Sequence, residues 1–177
     1  MAKAEKKLAF KIVVIGDPSV GKTSLIRRFS DHKFDLSYLP TIGADFNIKV
    51  IELPEVEVIM TIWDIGGHDR FQHIRDFYYD GSHGGILAFD LTREKTYENI
   101  EKWEQDIRKK AINKDIPIVL MANKSDLRDK IVVNEEDIRK VSESLDMPYF
   151  LTSAKNGLNV DQAFEKIAQL CVEKYVK

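Results

Sequence analysis

At 177 residues the chain can bury one sound core without disulfides or metal staples, and its 27 basic and 29 acidic residues leave a net charge of −2, without the basic excess of nucleic-acid binders. The single cysteine, Cys171, excludes an internal disulfide, which suits a reducing compartment, and it keeps helical step with Phe164, Ile167, Ala168 and Val172, which predicts a buried thiol. No apolar run approaches the roughly 20 residues that cross a bilayer, and no signal-type apolar segment follows the lysine-rich start, so a cytoplasmic protein is expected.

Taken in order, residues 1–7 read as a polar, disordered lead-in with a weak attraction for anionic lipid, and residues 8–177 as one domain. The first strand is expected at about Lys11–Ile15, apolar enough to be buried on both faces. A glycine-bracketed loop, Gly16-Asp17-Pro18-Ser19-Val20-Gly21-Lys22-Thr23, leads into a helix, and an aperiodic loop containing Pro40 follows over residues 32–43. Asp45–Leu53 and Val56–Trp63 flank the Pro54-Glu55 turn signal and predict an antiparallel hairpin. Short apolar runs at Ile86–Phe89, Ile116–Ala122 and Tyr149–Leu151 complete six strands. Long helices are expected over Thr92–Lys110, Asn134–Leu145 and Asn159–Tyr175, with Asn134 and Asn159 as N-caps, Gln162 in capping-box register, and Glu135, Glu136 and Asp137 favoured by the helix dipole. The alternation predicts an α/β domain, a mostly parallel six-stranded sheet with one antiparallel strand and helices on both faces.

The loop after the first strand has the spacing of a phosphate-binding P-loop, in which backbone N–H groups and a helix N-terminus surround an anion. Asp17, Pro18, Ser19, Val20, Gly21, Lys22, Thr23 and Ser24 are therefore candidate nucleotide contacts, with the Lys22 ammonium for the β- and γ-phosphates and the Thr23 hydroxyl for Mg²⁺. Asp64, in Trp63-Asp64-Ile65-Gly66-Gly67, ends a strand at the edge where open parallel sheets bind ligands; it would help hold Mg²⁺, and the Gly67 N–H would meet a γ-phosphate. Read alone, that Asp-x-x-Gly is equally a common turn. Asn123-Lys124-Ser125-Asp126 ends a later strand, where a carboxylate can accept from both the ring N–H and the amino group of guanine. Ser153-Ala154-Lys155 follows the last strand and offers a backbone N–H to the guanine oxygen.

With these four motifs in this order, the chain resembles a small GTPase of the Ras superfamily, nearest the Rab type, over residues 8–176. The resemblance implies that Thr41 joins Thr23 and Asp64 around Mg²⁺, that Phe34 and Tyr38 lie near the nucleotide, and that Lys22, Thr41, Gly67 and His68 form the catalytic set. It also implies that Phe46, Trp63 and Tyr78 form an effector-facing aromatic triad, although by residue type they could equally be core. An effector, an exchange factor and an activating protein are the implied partners of a monomer.

The chain departs from the family pattern in places. His68 stands where a glutamine usually orients the attacking water, which puts hydrolysis in question. Gly66-Gly67 is closer to the Arf type and would loosen that loop, and Pro18 adds bulk where an activating arginine would enter. Residues 172–177 carry no prenylation cysteine, Ala2 is not a myristoylated glycine, and peripheral membrane association would need a longer chain. His32, His73 and His83 lack metal-ligand spacing and read as surface or hydrogen-bonded histidines. A slow GTP-hydrolysing switch is the leading reading. A guanine-nucleotide binding module with negligible turnover is the alternative, and a P-loop kinase is disfavoured because no lid or acceptor site is present.

Overall fold

In the computed structural model, which describes residues 6–35 and 41–176, β1 covers Lys6–Ile15 and starts earlier than its apolar stretch suggests. Lys6 and Lys7 belong to this strand rather than to a lead-in: they pair with Val56 and Glu57, and Lys7 Nζ lies 2.8 Å from the Glu57 carboxylate. Exposure of the strand's first residues hides a regular ladder behind a polar sequence. Residues 1–5 of the expected lead-in, and Tyr38 and Pro40, lie outside the described residues.

β2 (Ala44–Leu53) and β3 (Val56–Ile65) form the expected antiparallel hairpin, closed at Leu53–Val56 with Glu55 in the left-handed region at φ 69°. β4 (Gly84–Asp90), β5 (Ile118–Asn123) and β6 (Tyr149–Leu151) continue the sheet in parallel, in the order β2-β3-β1-β4-β5-β6. The chain leaves β1 between two strands reached by crossovers in opposite directions, the place where open parallel sheets open a ligand crevice.

Alternation along β1 divides the core. Ile12 and Val14 face α1 (Lys22–Asp31) and α6 (Val160–Tyr175), where Phe29 and Phe164 stack with centroids 4.2 Å apart. Val13 and Ile15 face the opposite layer, built from α2 (Gln72–Tyr79), α3 (Glu94–Glu98), α4 (Ile100–Lys110) and α5 (Glu135–Ser144). Truncating either ring of the Phe29–Phe164 stack to alanine removes about 3–5 kcal/mol of stability, the range for large-to-small changes in a packed core. Among the described residues no helix is long and apolar enough to cross a membrane.

Three helix expectations change. The helix expected over Thr92–Lys110 is two, meeting at Asn99, whose side-chain amide turns to Asp17. α2 had no expectation. Asn134 caps α5 by accepting from the Asp137 N–H at 2.9 Å, but Asn159 adopts φ 55° and donates its amide to Leu151 O, so it tethers α6 to β6 instead of capping it.

Candidate functional site

The loop from β1 to α1 is shaped by two glycines. Gly16 has φ 143° and an added Cβ would lie 2.2 Å from Ala88 O, while Gly21 has φ 102° and a Cβ there would lie 2.4 Å from Asn123 Nδ2. No other residue type fits either position without moving the β4 or β5 edge. α1 begins without a side-chain cap or an acid in its first turn, so its N-terminal amides and positive dipole end face the crevice. Lys22 Nζ reaches back to donate to Gly16 O at 2.9 Å and Asp17 O at 2.8 Å. Burial pushes its ammonium down to about 8, against the pull of Asp64 and Asp17. An anion in the loop would push it back up.

Three oxygens meet beside Lys22. The Thr23 hydroxyl donates to Asp64 Oδ2, and the Thr41 hydroxyl lies 2.9 Å from Thr23 Oγ1 and 3.2 Å from the same carboxylate oxygen. Asp64 Oδ1 is buried with no hydrogen-bond partner among the described residues. Burial raises the Asp64 carboxyl, opposed by the Thr23 bond and the Lys22 charge. Two hydroxyls and a carboxylate with an unused acceptor are hard oxygen donors that suit Mg²⁺, which keeps several waters and takes few protein ligands. The residues fit that ion.

At the other end, Asn123 Nδ2 donates to Val20 O at 2.9 Å, and Lys124 Nζ bridges Ser19 O at 2.9 Å and Asp90 Oδ2 at 2.8 Å. Ser153 Oγ donates to Asp126 Oδ1 at 2.7 Å, leaving the other carboxylate oxygen for a ligand. The Ala154 N–H lies 3.3 Å from Asn123 Oδ1, and Arg28 from α1 donates to Ala154 O and Lys155 O. His68 borders the crevice, its ring edge-on to Phe71 at 6.2 Å and its carbonyl accepting from Arg75 Nη1 at 2.8 Å.

These groups surround one cleft of about 340 Å³. It brings together Pro18, Ser19, Gly21, Lys22, Thr23, Ser24, Phe34, Thr41, Gly67, His68, Asn123, Lys124, Asp126, Ala154 and Lys155 from the sequence expectation, and adds Arg27, Asp35, Gly66 and Leu127. Four expected site residues do not line the cleft with their side chains; Asp64, buried at 3% exposed, meets it only through the Thr23 and Thr41 hydroxyls. Asp17 turns its carboxylate away to Asn99 Nδ2 at 2.7 Å and Trp103 Nε1 at 2.8 Å. Val20 is in the core, and Ser153 stands behind Asp126.

The Ras family profile matches residues 11–173. The chain belongs to the Ras family. It is 40% identical to the Ras-related protein Rab-10 of Diplobatis ommata over 174 residues, spanning 98% of this chain and 86% of that protein. It is 40% identical to Rab-13 of Rattus norvegicus over 169 residues, 96% of this chain and 82% of that protein, and 38% identical to Rab-10 of Caenorhabditis elegans over 174 residues. This is a Ras-superfamily small GTPase of the Rab type, a GTP-binding switch.

In this GTPase the glycine pair is pinned rather than loose. The Gly66 N–H donates to Gly43 O at 2.8 Å, and a Cβ on Gly66 would lie 2.8 Å from the Phe71 ring and 2.9 Å from Thr41 O. A Cβ on Gly67 would lie 2.4 Å from Gly16 O, so this segment lies directly on the P-loop. The aromatic triad is contiguous: Trp63 lies 5.1 Å from both Phe46 and Tyr78. Phe46 is exposed, whereas Trp63 and Tyr78 also lean on the core, so the two readings of the triad divide by residue. Ile48 and Val50 continue the exposed apolar face of β2 from Phe46, and Ile74 and Phe77 of α2 are also exposed.

Two residues that sequence reasoning missed hold the site from outside. Asp90, 1% exposed, accepts from Lys124, Arg93 and Thr92; burial pulls its carboxyl up, but the Lys124 and Thr92 hydrogen bonds outweigh this and leave it lowered. Arg93 Nη2 also donates to Pro18 O at 2.7 Å. The available signal was an acid ending the otherwise apolar β4 at the ligand edge.

Proposed function

We propose that this GTPase holds GTP and GDP with Mg²⁺ at Thr23, Thr41 and Asp64, hydrolyses GTP slowly, and displays its nucleotide state through the segments around Thr41 and Gly67. The observation that carries the reading is the convergence on one cleft of Lys22, the Thr23 and Thr41 hydroxyls with Asp64 bonded behind them, Asp126 and His68. Mg²⁺ bound there supplies positive charge to the β- and γ-phosphates. Lys22 adds a second charge, and the loop amides from Asp17 to Ser24 surround the phosphates. Asp126 reads the guanine ring N–H and amino group, with Asn123, Lys124, Ser153, Ala154 and Lys155 setting the walls. Phe34 lies against the nucleotide.

In the chemical step the water oxygen forms a bond to the γ-phosphorus as the bridging bond to the β-phosphate breaks, leaving GDP and phosphate. The Gly67 N–H meets the γ-phosphate and His68 orients the water. An imidazole is shorter than glutamine and cannot donate and accept through one amide, so turnover is slow. The second reading, near-zero turnover, is supported by Pro18 and His68 themselves, both of which line the cleft. Effectors, an exchange factor and an activating protein would read the exposed apolar face around Phe46, and the oxygen-donor site predicts a strict Mg²⁺ requirement. Single-turnover phosphate release from labelled GTP, with and without Mg²⁺, tests this. Mg²⁺-dependent release over hours supports the slow switch, and tight GTP binding with no release establishes the binding module instead.

A further inference from the structure

We propose that Arg75 is a positioning residue for GTP hydrolysis, holding the His68 backbone at the mouth of the cleft and joining it through Trp103 to the P-loop. This rests on the reading of His68 as the group that orients water.

Arg75 is 4% exposed, and a buried guanidinium is costly unless it is well paired. Its nearest carboxylate is a poor partner. Asp106 lies 3.9 Å from Arg75 Nε, beyond hydrogen-bond reach, and that carboxylate already accepts from Tyr79 Oη at 2.9 Å and Lys110 Nζ at 2.7 Å. Arg75 Nε has no hydrogen-bond partner among the described residues. The side chain instead stacks over Trp103, 4.8 Å from the ring centroid, and directs Nη1 to His68 O at 2.8 Å. Arginine–carboxylate pairs are frequently bidentate, and Arg75 makes no such pair. This one places its hydrogen bond on the carbonyl of the residue whose side chain borders the cleft.

The contact continues inward. Trp103 is 5% exposed, and its Nε1 donates to one oxygen of Asp17 while Asn99 donates to the other. An unbroken path therefore runs from the P-loop at Asp17, through Trp103 on α4 and Arg75 on α2, to His68. Holding the His68 carbonyl restrains the peptide plane that follows its Cα, and so narrows the range over which the imidazole can reach. Asp106, just out of range, offers Arg75 a second partner if the His68 segment moves.

The test compares parent, Arg75→Lys, His68→Ala and the double variant in single-turnover GTP hydrolysis with Mg²⁺, alongside GTP titration and amide hydrogen exchange over residues 67–71. Lysine keeps the charge but loses the planar fork and the stack. Arg75→Lys should leave GTP affinity within about twofold, slow hydrolysis about tenfold, and speed exchange over residues 67–71. In the His68→Ala background it should cost nothing further, because no imidazole is left to position. An unchanged rate, unchanged exchange, or an equal loss in both backgrounds each overturns the proposal. A parent with no measurable hydrolysis defeats the reading of His68 instead, and the exchange result alone then decides whether Arg75 holds the segment. Should Arg75→Lys not fold, Trp103→Phe keeps a ring under the guanidinium while removing the donor to Asp17. It should give a smaller loss with the same dependence on His68, and its absence overturns the link.

Discussion

At the base end of the cleft the polar side chains already have partners within the protein: Asn123 donates to the Val20 carbonyl, Lys124 to the Ser19 carbonyl and Asp90, Ser153 to Asp126, and Arg28 to the carbonyls of Ala154 and Lys155. At the γ-phosphate end, among the described residues, fewer such bonds are made. Thr41 shares its hydroxyl between two neighbours, Asp64 keeps an unused oxygen, and Ile42 beside Thr41 is 81% exposed. Folding has already ordered the first end, so binding there costs little further entropy, whereas the second end keeps freedom that a γ-phosphate can remove. Base selectivity is therefore expected from the bonded end, and the response to a γ-phosphate from the other.

Substitutions at the two ends should separate these properties. The largest effect is expected from Lys22→Ala, which deletes charge-assisted bonds worth about 1.5–3 kcal/mol each and should weaken GTP by roughly 10³-fold in a titration with Mg²⁺. The same lysine gives a pH test. Its ammonium is lowered to about 8 in the free protein and phosphate should raise it, so binding takes up a proton above that pH. GTP affinity should be flat below pH 8 and fall above it, and the fall should vanish in Lys22→Ala. For the free protein the sign is opposite: the unfolded chain holds the proton more tightly, so stability rises between about 8 and the usual lysine range.

Next is Asp126→Asn at the bonded end. The amide can donate where the carboxylate only accepts, so GTP should lose about 10- to 100-fold and xanthine nucleotides should gain. Unchanged preference in a GTP against XTP competition would remove Asp126 as the base reader. At the γ-phosphate end, Gly66→Ala should displace Thr41 and Phe71 and cost about 1–3 kcal/mol in the arrangement that holds them together. It should weaken GTP more than GDP, and an equal effect on both would show that the pinned glycine is not part of sensing. The smallest effect is expected for His68→Gln. Without an activating protein its hydrolysis should equal or exceed the parent's by less than about tenfold, and the gap should widen when an arginine is supplied in trans. A parent faster than the variant, with an imidazole-type inflection in its pH–rate profile that the variant lacks, would make His68 the better catalyst.

Legibility divided along a similar line. The P-loop, the Asn123–Asp126 run and the six strands were readable because each is a contiguous pattern whose physics is local, such as glycines required by φ or apolar residues in period. α2 was not, because its pattern is inverted: Phe77 is 76% exposed while Arg75 is buried, so no apolar stripe marks the inner face. Asp17 was assigned to the nucleotide by its place in the loop, yet its side chain is used by Asn99 and Trp103, 82 and 86 residues away. Asn159 had the sequence of a cap, but the carbonyl of Leu151 was within reach and took its amide. Long-range partners of this kind leave no mark in spacing.

Cys171 has a consequence for how this molecule can be handled. Its Sγ is enclosed between α6 and β4, 3.5 Å from His83 O, and burial pushes the thiol up to about 12. At neutral pH only about one molecule in 10⁵ carries the reactive thiolate, so alkylating reagents should pass over the folded chain. The protein is thus a ready-made cysteine-silent frame: a thiol introduced at Ile42 or Phe77 would accept a fluorophore or spin label alone. Slow modification of Cys171 itself would then act as a clock for opening of the core.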